Sequence, residues 1–365
     1  MKLDANAQAF LALVRAGLWG DSPVLDSSLI NWPAVYRLAG EQALLGLVLQ
    51  GIERSGVRPP KELLLQWISD VQRIERHNSD MNEYVGRLME QLRGVGVSAV
   101  LVKGQGIAQC YEKPLWRSAG DIDLLLREGE YDKANAFLIP LAVKVEQEFA
   151  TIKHLGMSMP EGFEVELHGN LHSRLSRRVD RCIDAAQKDV LVDGNVRHWQ
   201  NGATQVLLPA PDDDVLFLFT HIVRHFFIGG IGLRQICDWC RFLWTYRAAL
   251  DRDLLARRVS QMGLESEWRA FAALAVDRLG MPVEAMPFYS SEARWSRKAD
   301  RILDFVLETG NFGHNRAHLG AFLLSALRKM SDFARHVRIF PLDSVRFFFH
   351  FFGDGVRNKV AAIGR

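Results

Sequence analysis

Two carboxylates stand two residues apart near the middle of the sequence, in the run Gly120-Asp121-Ile122-Asp123. In an extended strand, residues i and i+2 project from the same face, with their α-carbons about 7 Å apart. Both side chains can therefore reach one hard cation or an adjacent pair of cations, and Mg²⁺ binds such oxygen ligands. The spacing is that of a Mg²⁺ site that includes Asp121 and Asp123. On these residues alone, the alternative is that both are exposed turn residues beside Gly120.

A strand must position these carboxylates, and the flanking residues indicate one. Apolar residues such as Ile122 and Leu124 suit a strand with one face in a core. Upstream, Lys103 and Gly104 follow the apolar run 100–102, which predicts a tight turn from a strand into a helix. An exposed helix start presents free N–H groups to a phosphate.

A second alternating stretch lies at residues 163–168, which read F-E-V-E-L-H. The period of two places three apolar side chains on one face of a strand. The polar face then carries Glu164, Glu166 and His168. Spacing alone does not decide which glutamate joins the two aspartates.

The motifs are K-G at 103–104, Y-x-x-P at 111–114, R-x-x-G-D-I-D-L-L at 117–125 and V-E-L-H at 165–168. Together they resemble the uncharacterised branch of the DNA polymerase β-type nucleotidyltransferases. The resemblance extends back to 32–39 and forward to 233–238, about two thirds of the chain. Its most specific part is G-D-I-D.

The resemblance implies Mg²⁺-dependent transfer of a nucleoside monophosphate from a nucleoside triphosphate to a hydroxyl acceptor. Two Mg²⁺ ions about 3.5–4 Å apart, held by three carboxylates, stabilise the charge that builds on the leaving pyrophosphate. The family pattern assigns the third carboxylate to Glu166, with Asp121 and Asp123. Glu166 is then also the group that orients or deprotonates the acceptor hydroxyl. Glu164 is the competing assignment.

The phosphates need cations, and Lys103 and Arg117 are the candidates, with Gly104 at the turn. His168 is expected to contact phosphate or metal, or to hydrogen-bond to Glu166. Other members of the superfamily have Gly-Ser or Gly-Gly at this turn, whereas this chain has Lys-Gly-Gln-Gly. It stays open whether the triphosphate is gripped in the usual way. The alternative for Lys103 and for Arg117 is an ordinary surface cation.

Two other functions remain open. One is a catalytically silent module that binds a nucleotide or serves as a scaffold. The other is a metal-dependent phosphohydrolase that uses the same carboxylates. No motif encodes the acceptor, small molecule or protein, or the preferred base.

The periodicity predicts an α+β protein in three regions: a helical N-terminal region at 1–95, an α/β core with a small mixed sheet at 96–210, and a helical C-terminal region at 211–365. The resemblance implies that the core is a polymerase β-like nucleotidyltransferase core. Strands are expected at 97–102, 121–126, 143–151, 163–168, 195–198 and 205–208. Core helices are expected at 104–111 and 131–138. C-terminal helices are expected at 212–227, 231–248, 251–262, 264–279, 293–309 and from 315 to the end, with breaks at Pro341 and Gly353.

The composition is that of an ordinary globular protein, with 48% hydrophobic and 24% charged residues among 365. A formal net charge of +2 gives no strong nucleic-acid signal. The sequence has no signal peptide and no apolar run long enough for a transmembrane segment, so a cytoplasmic location is expected.

Two pairs of potential metal ligands fit metal sites poorly. His221 and His225 have the spacing of a zinc-protease helix but lack the intervening glutamate, so they are expected, with Arg224, to line the cleft or to cap buried polar groups. Cys237 and Cys240 are half of a closed zinc site and suit a helix core better. On the same helix, Arg234 and Asp238 are spaced for an ion pair.

Near the end of the chain, residues 346–352 read R-F-F-F-H-F-F among several basic residues. A peripheral membrane or partner contact is one interpretation. Burial of the phenylalanines in the C-terminal helices is the one we prefer.

Overall fold

The computed structural model describes residues 3–146, 153–315 and 322–348. The N-terminal part is helical throughout: α1 (Ala5–Trp19), α2 (Trp32–Glu41), α3 (Leu45–Ser55) and α4 (Lys61–Gly94). Helix starts carry the expected capping residues, since the side chain of Asp4 accepts from the Ala7 amide and Asn31 accepts from the Ala34 amide. The 34-residue helix α4 leads into the sheet.

Seven strands of the described residues form one mixed sheet, in the spatial order β3-β4-β5-β2-β1-β7-β6. They are β1 (Val100–Val102), β2 (Ile122–Leu125), β3 (Lys144–Val145), β4 (His154–Ser158), β5 (Glu164–His168), β6 (Val196–Asn201) and β7 (Thr204–Pro209). The central strand β2 pairs antiparallel to β1 and parallel to β5. Strand β4 lies antiparallel on the other side of β5.

Three helices interrupt the strands: α5 (Gly104–Ala108), α6 (Glu128–Leu138) and α7 (Arg177–Leu191). After β7 the chain is helical again, with α8 (Pro211–Ile228), α9 (Leu233–Thr245), α10 (Arg252–Met262), α11 (Glu265–Ala273), α12 (Ala293–Thr309) and α13 (Phe322–Ile339). A π-helical turn, Leu274–Arg278, extends α11, and residues 341–348 are helical. Within the described ranges, none of the helices combines the length and apolar character that a bilayer crossing needs.

The sheet is buried on both faces. One face packs on the C-terminal half of α4 and on α6; we call this the smaller core, and it includes Met81, Val85, Leu88, Leu92, Ile122, Leu124, Val165 and Leu167. The other face contributes Val100, Val102 and Leu125 to a larger core that also contains helices from both ends of the sequence. Asp123 lies on this second face, because it pairs directly with Val102.

The α+β fold with a small mixed sheet confirms the sequence prediction, but two elements were missed. Strand β4 contains Gly156 and only two inward apolar residues, Leu155 and Met157, so its pattern is weak. Helix α7 is strongly amphipathic, with Val179 and Ile183 buried, so its helical periodicity could have predicted it.

Other predicted bounds shift. Helix α5 ends at Ala108 instead of residue 111, and the chain turns so that the Tyr111 hydroxyl donates to Asp238 at 2.8 Å. The predicted strand 143–151 is described only as far as residue 146, with β3 at Lys144–Val145. In the Phe-rich segment, Phe347 is buried against Phe227 while Phe348 is exposed. Residues 349–352 lie outside the described residues.

Candidate functional site

A pocket of about 400 Å³ lies between the second face of the sheet and helices α8 and α9. Its sheet wall carries the predicted carboxylates and Lys103, and its helical wall carries basic side chains. All the candidate site residues of the sequence line it: Lys103, Gly104, Arg117, Asp121, Asp123, Glu166 and His168.

The three carboxylates meet because of strand register. Asp123 on β2 pairs directly with Glu166 on the parallel strand β5, and Asp121 stands just before β2 begins. One carboxylate oxygen from each of the three lies within 4.8 Å of the others. Asp121 is exposed and Asp123 is buried, so the group extends from the pocket mouth to its floor.

Glu164 occupies the same strand face but lies outside this group. Its carboxylate accepts a hydrogen bond from the Ser158 hydroxyl at 3.0 Å, and the side chain is exposed. It does not line the pocket. Of the two glutamates on β5, only Glu166 therefore has its carboxylate beside the aspartates.

Lys103 reaches the floor of the pocket from a sharp turn. The backbone is left-handed at Lys103 (φ 58°) and at Gly104 (φ 43°), which is costly for a residue with a Cβ and recurs at functional sites. The turn places Lys103 Nζ 3.0 Å from Asp123 Oδ1. The ammonium thus lies beside the carboxylates at the end of β1.

Two histidines also contact the carboxylates. His168 Nε2 lies 2.8 Å from Asp123 Oδ1 and 3.4 Å from Glu166 Oε2. His154 Nε2, from β4, lies 2.9 Å from the same Glu166 oxygen. Sequence analysis missed His154, although the alternation of residues 154–158 could have placed it on the polar face of a strand.

The charges shift one another. The carboxylate of Asp123, and then desolvation of the Asp121 carboxyl group by the pocket, raise the pKa of Asp121 to about 6. Burial opposes ionisation of Asp123, but Lys103 and a hydrogen bond from His168 outweigh it and lower its pKa. Hydrogen bonds from both histidines likewise outweigh burial and lower the pKa of Glu166.

The pKa values of Lys103 and His168 are both raised. Burial works against the charged form of Lys103, but the charge of Asp123 prevails and raises the pKa of the ammonium. Burial likewise opposes protonation of His168, and its hydrogen bonds to Asp123 and Glu166 raise its pKa. The sheet wall is a mutually compensated set of charges.

Arg117 lines the pocket with much of its guanidinium already engaged. Its Nε and Nη2 each donate to Asp238 at 2.8 Å, and both side chains are buried. Its Nη1 faces the Ser118 carbonyl at 3.4 Å. Helix α4 holds the loop that contains Arg117, because the side-chain amide of Asn78 donates to the carbonyls of Leu115 and Arg117.

The predicted ion pair between Arg234 and Asp238 is wrong, because Asp238 binds Arg117 from another element. Arg234 instead donates to the Ser118 carbonyl at 2.5 Å. Its Nε is buried and has no hydrogen-bond partner among the described residues. Burial, and then the charge of Arg117, lower the pKa of Arg234 to about 10.

The rest of the helical wall comes from one face of α8. Here too the Nε of Arg224 is buried without a hydrogen-bond partner in the described part of the chain. His221 and His225 line the pocket, as predicted, with ring centroids 4.3 Å apart. Burial, and then the charge of Arg224, lower the pKa of His225 to about 3.

Comparisons with known proteins identify a family. Residues 28–280 match a family model described as "Uncharacterised nucleotidyltransferase". No curated protein matches the chain. A similar solved structure is that of an antigenic nucleotidyltransferase-like protein from Paracoccidioides brasiliensis, with 13% identity and a TM-score of 0.35 over 58% of this chain and 94% of that one. Because the family model spans more than half of its length, the chain belongs to the uncharacterised nucleotidyltransferase family.

Proposed function

We propose that this protein transfers a nucleoside monophosphate from a nucleoside triphosphate to a hydroxyl acceptor with the help of Mg²⁺. One observation carries the proposal: carboxylate oxygens of Asp121, Asp123 and Glu166 lie within 4.8 Å of one another on one wall of the pocket. Lys103 lies beside them, where phosphate charge would have to be held.

The donor set fits Mg²⁺, because Asp121, Asp123 and Glu166 offer only hard carboxylate oxygens. Their mutual repulsion, visible in the raised pKa of Asp121, is a reason for the site to favour a divalent cation. Two bound ions would supply electrostatic stabilisation of the charge that builds on the leaving pyrophosphate.

Glu166 is suited to orient the acceptor hydroxyl. The hydrogen bonds from His154 and His168 keep its carboxylate ionised at neutral pH, so it accepts a hydrogen bond from the hydroxyl. The same low pKa makes it a weak base. We therefore assign Glu166 an orienting role, in preference to removal of the proton.

The triphosphate is assigned to cations on both walls. Lys103 and the Gly104 turn hold it from the sheet side, and Arg117 contributes only through Nη1, since Asp238 takes its other two donors. Arg224 and Arg234 face it from α8 and α9 with buried Nε atoms that lack a partner among the described residues. Guanidinium groups bind phosphates through charge-assisted hydrogen bonds.

His168 acts behind the carboxylates in this proposal. Its Nε2 already contacts Asp123 and Glu166, so it holds both carboxylates in position. Direct contact of His168 with a phosphate is the alternative.

The test is a labelling experiment. The purified protein is incubated with Mg²⁺, a cell extract and ATP, GTP, CTP or UTP, each labelled at the α- or the γ-phosphate. Transfer puts the α-label into a product and releases pyrophosphate. Release of orthophosphate would indicate the phosphohydrolase, and binding without turnover would indicate the silent module. The Asp123→Asn variant is the control for contaminating enzymes.

A further inference from the structure

We infer that the pocket contains a second, nitrogen-containing metal site, formed by His154, Glu166 and His168, that binds a divalent transition-metal ion of the zinc class. It deepens the proposed function, since it shares Glu166 with the carboxylate set. The evidence for it is the geometry of His154, Glu166 and His168.

The cross-strand register brings the three ligands together. His154 on β4 pairs directly with His168 on β5, and Glu166 precedes His168 by two residues, on the same strand face. The two imidazole rings have centroids 4.8 Å apart. One ligand atom from each of the three residues lies within 4.8 Å of the others.

Both imidazoles aim at a single point. His154 Nε2 and His168 Nε2 lie 2.9 and 3.4 Å from the same oxygen, Glu166 Oε2. Asp123 already holds His168 in place, because Asp123 Oδ1 lies 2.8 Å from His168 Nε2. His154 is therefore not needed to position His168. The side chain of His154 is 20% exposed and reaches inward to Glu166. The three ligand atoms are close enough to bind one ion once the two imidazoles have lost their Nε2 protons, as metal ligands do.

The ligand atoms distinguish the histidine-containing set (His154, Glu166 and His168) from the carboxylate set (Asp121, Asp123 and Glu166). Imidazole nitrogen binds zinc-class transition ions well, whereas carboxylate oxygen suits Mg²⁺. Two histidines and one carboxylate leave further coordination positions open, as in catalytic zinc sites. Because Glu166 belongs to both sets, an ion bound by the histidines would share a ligand with an ion bound by Asp121 and Asp123.

The test uses metal alone, without nucleotide. Chelator-treated protein is titrated with Zn²⁺ by calorimetry, and Co²⁺ is added separately to record its visible absorption. We expect Zn²⁺ to bind, and His154→Ala to weaken it at least about tenfold, because loss of a supporting group alone costs that much. His172→Ala is the matched control, since His172 lines the same pocket but contacts Asp184 at 2.6 Å. It should bind Zn²⁺ as the wild type does.

Unchanged Zn²⁺ affinity in His154→Ala, or no Zn²⁺ binding by the wild type, would overturn the inference. Pulsed EPR of bound Mn²⁺ adds a direct readout, because coupling to imidazole ¹⁴N should be present in the wild type and reduced in His154→Ala and in His154→Gln. Bound Mn²⁺ without nitrogen coupling in the wild type would mean that only the carboxylates bind it. Circular dichroism shows whether each variant is folded.

The Asp121→Asn variant separates this inference from the proposed function. It removes a ligand of the carboxylate set only, so it should keep Zn²⁺ affinity close to wild type while it loses nucleotidyl transfer. Zn²⁺ binding through histidines in a protein that transfers nothing would support the metal site and count against the function. Nucleotidyl transfer without histidine-bound metal would support the proposed function and count against the metal site.

Discussion

The two walls of the pocket differ in how their charges are satisfied. On the sheet wall, the carboxylates of Asp123 and Glu166 are matched by Lys103, His154 and His168. On the helical wall, the Nε atoms of Arg224 and Arg234 are buried and have no hydrogen-bond partner among the described residues. The sheet wall therefore has partners for its carboxylates within the protein. The helical wall has positive charge available for an anion.

The largest expected effect comes from breaking the sheet wall. Asp121→Asn and Asp123→Asn should each lower Mg²⁺-dependent turnover on the order of 10³-fold, because each removes a charged ligand worth several kcal/mol. Initial rates at saturating Mg²⁺ give the comparison, and thermal melts show that the fold persists. Turnover within a few-fold of wild type in either variant would remove the metal assignment.

The second test compares the two glutamates of β5. Glu166→Gln should lose turnover as completely as the aspartate variants, because its carboxylate lies with theirs. Glu164→Gln is the matched control on the same strand face, and it should stay active because Glu164 contacts Ser158 outside the pocket. An inactive Glu164→Gln with an active Glu166→Gln would reverse the assignment.

Breaking the helical wall should have a smaller effect, confined to phosphate binding. Arg224→Ala should weaken ATP binding about 10- to 100-fold and AMP binding much less, since a charge-assisted hydrogen bond is worth about 1.5–3 kcal/mol. Calorimetric titration with both nucleotides measures it. Arg257→Ala, at an exposed position on α10, is the control. Equal losses for ATP and AMP would move Arg224 away from the triphosphate.

The smallest effect concerns protonation of the helical wall. His225 has a pKa of about 3 in the folded protein, so between about pH 6.5 and 3 the unfolded chain binds a proton that the folded chain does not. The free energy of unfolding therefore falls as the pH drops through this range.

His225→Asn should reduce that fall by about 1–2 kcal/mol between pH 7 and 5. Urea unfolding at pH 7, 6 and 5 measures it, with His198→Asn as a control on an exposed residue of β6. A wild-type and a His225→Asn curve that run parallel would show that His225 is not held neutral by burial.

The two walls also differ in how far the sequence predicts them. Asp121, Asp123 and Glu166 sit in short motifs whose alternation fixes the strand face. Spacing alone does not decide between Glu166 and Glu164. The family pattern favours Glu166, and the β2–β5 register pairs Glu166 with Asp123. The α+β fold class followed from periodicity, because long amphipathic helices and alternating strands are local patterns.

Contacts between residues that are distant in the sequence are predicted less well. Arg117 was predicted to be a phosphate-binding cation, with an ordinary surface cation as the alternative, yet it is buried and two of its donors go to Asp238, 121 residues away. His154 was missed because β4 has a weak strand pattern around Gly156. Which side chains meet across a pocket is decided by tertiary packing, and a single sequence carries little signal for it.

Helix α4 has a consequence for cooperativity. Its N-terminal half places Trp67 and Val71 in the larger core, its C-terminal half places Met81 to Leu92 in the smaller core, and Asn78 between them holds the loop at Arg117. Because one continuous helix belongs to both cores, unfolding of either core would destabilise the other. We therefore expect amide protons in both halves of α4 to exchange with solvent at one common opening free energy, as a single cooperative unit.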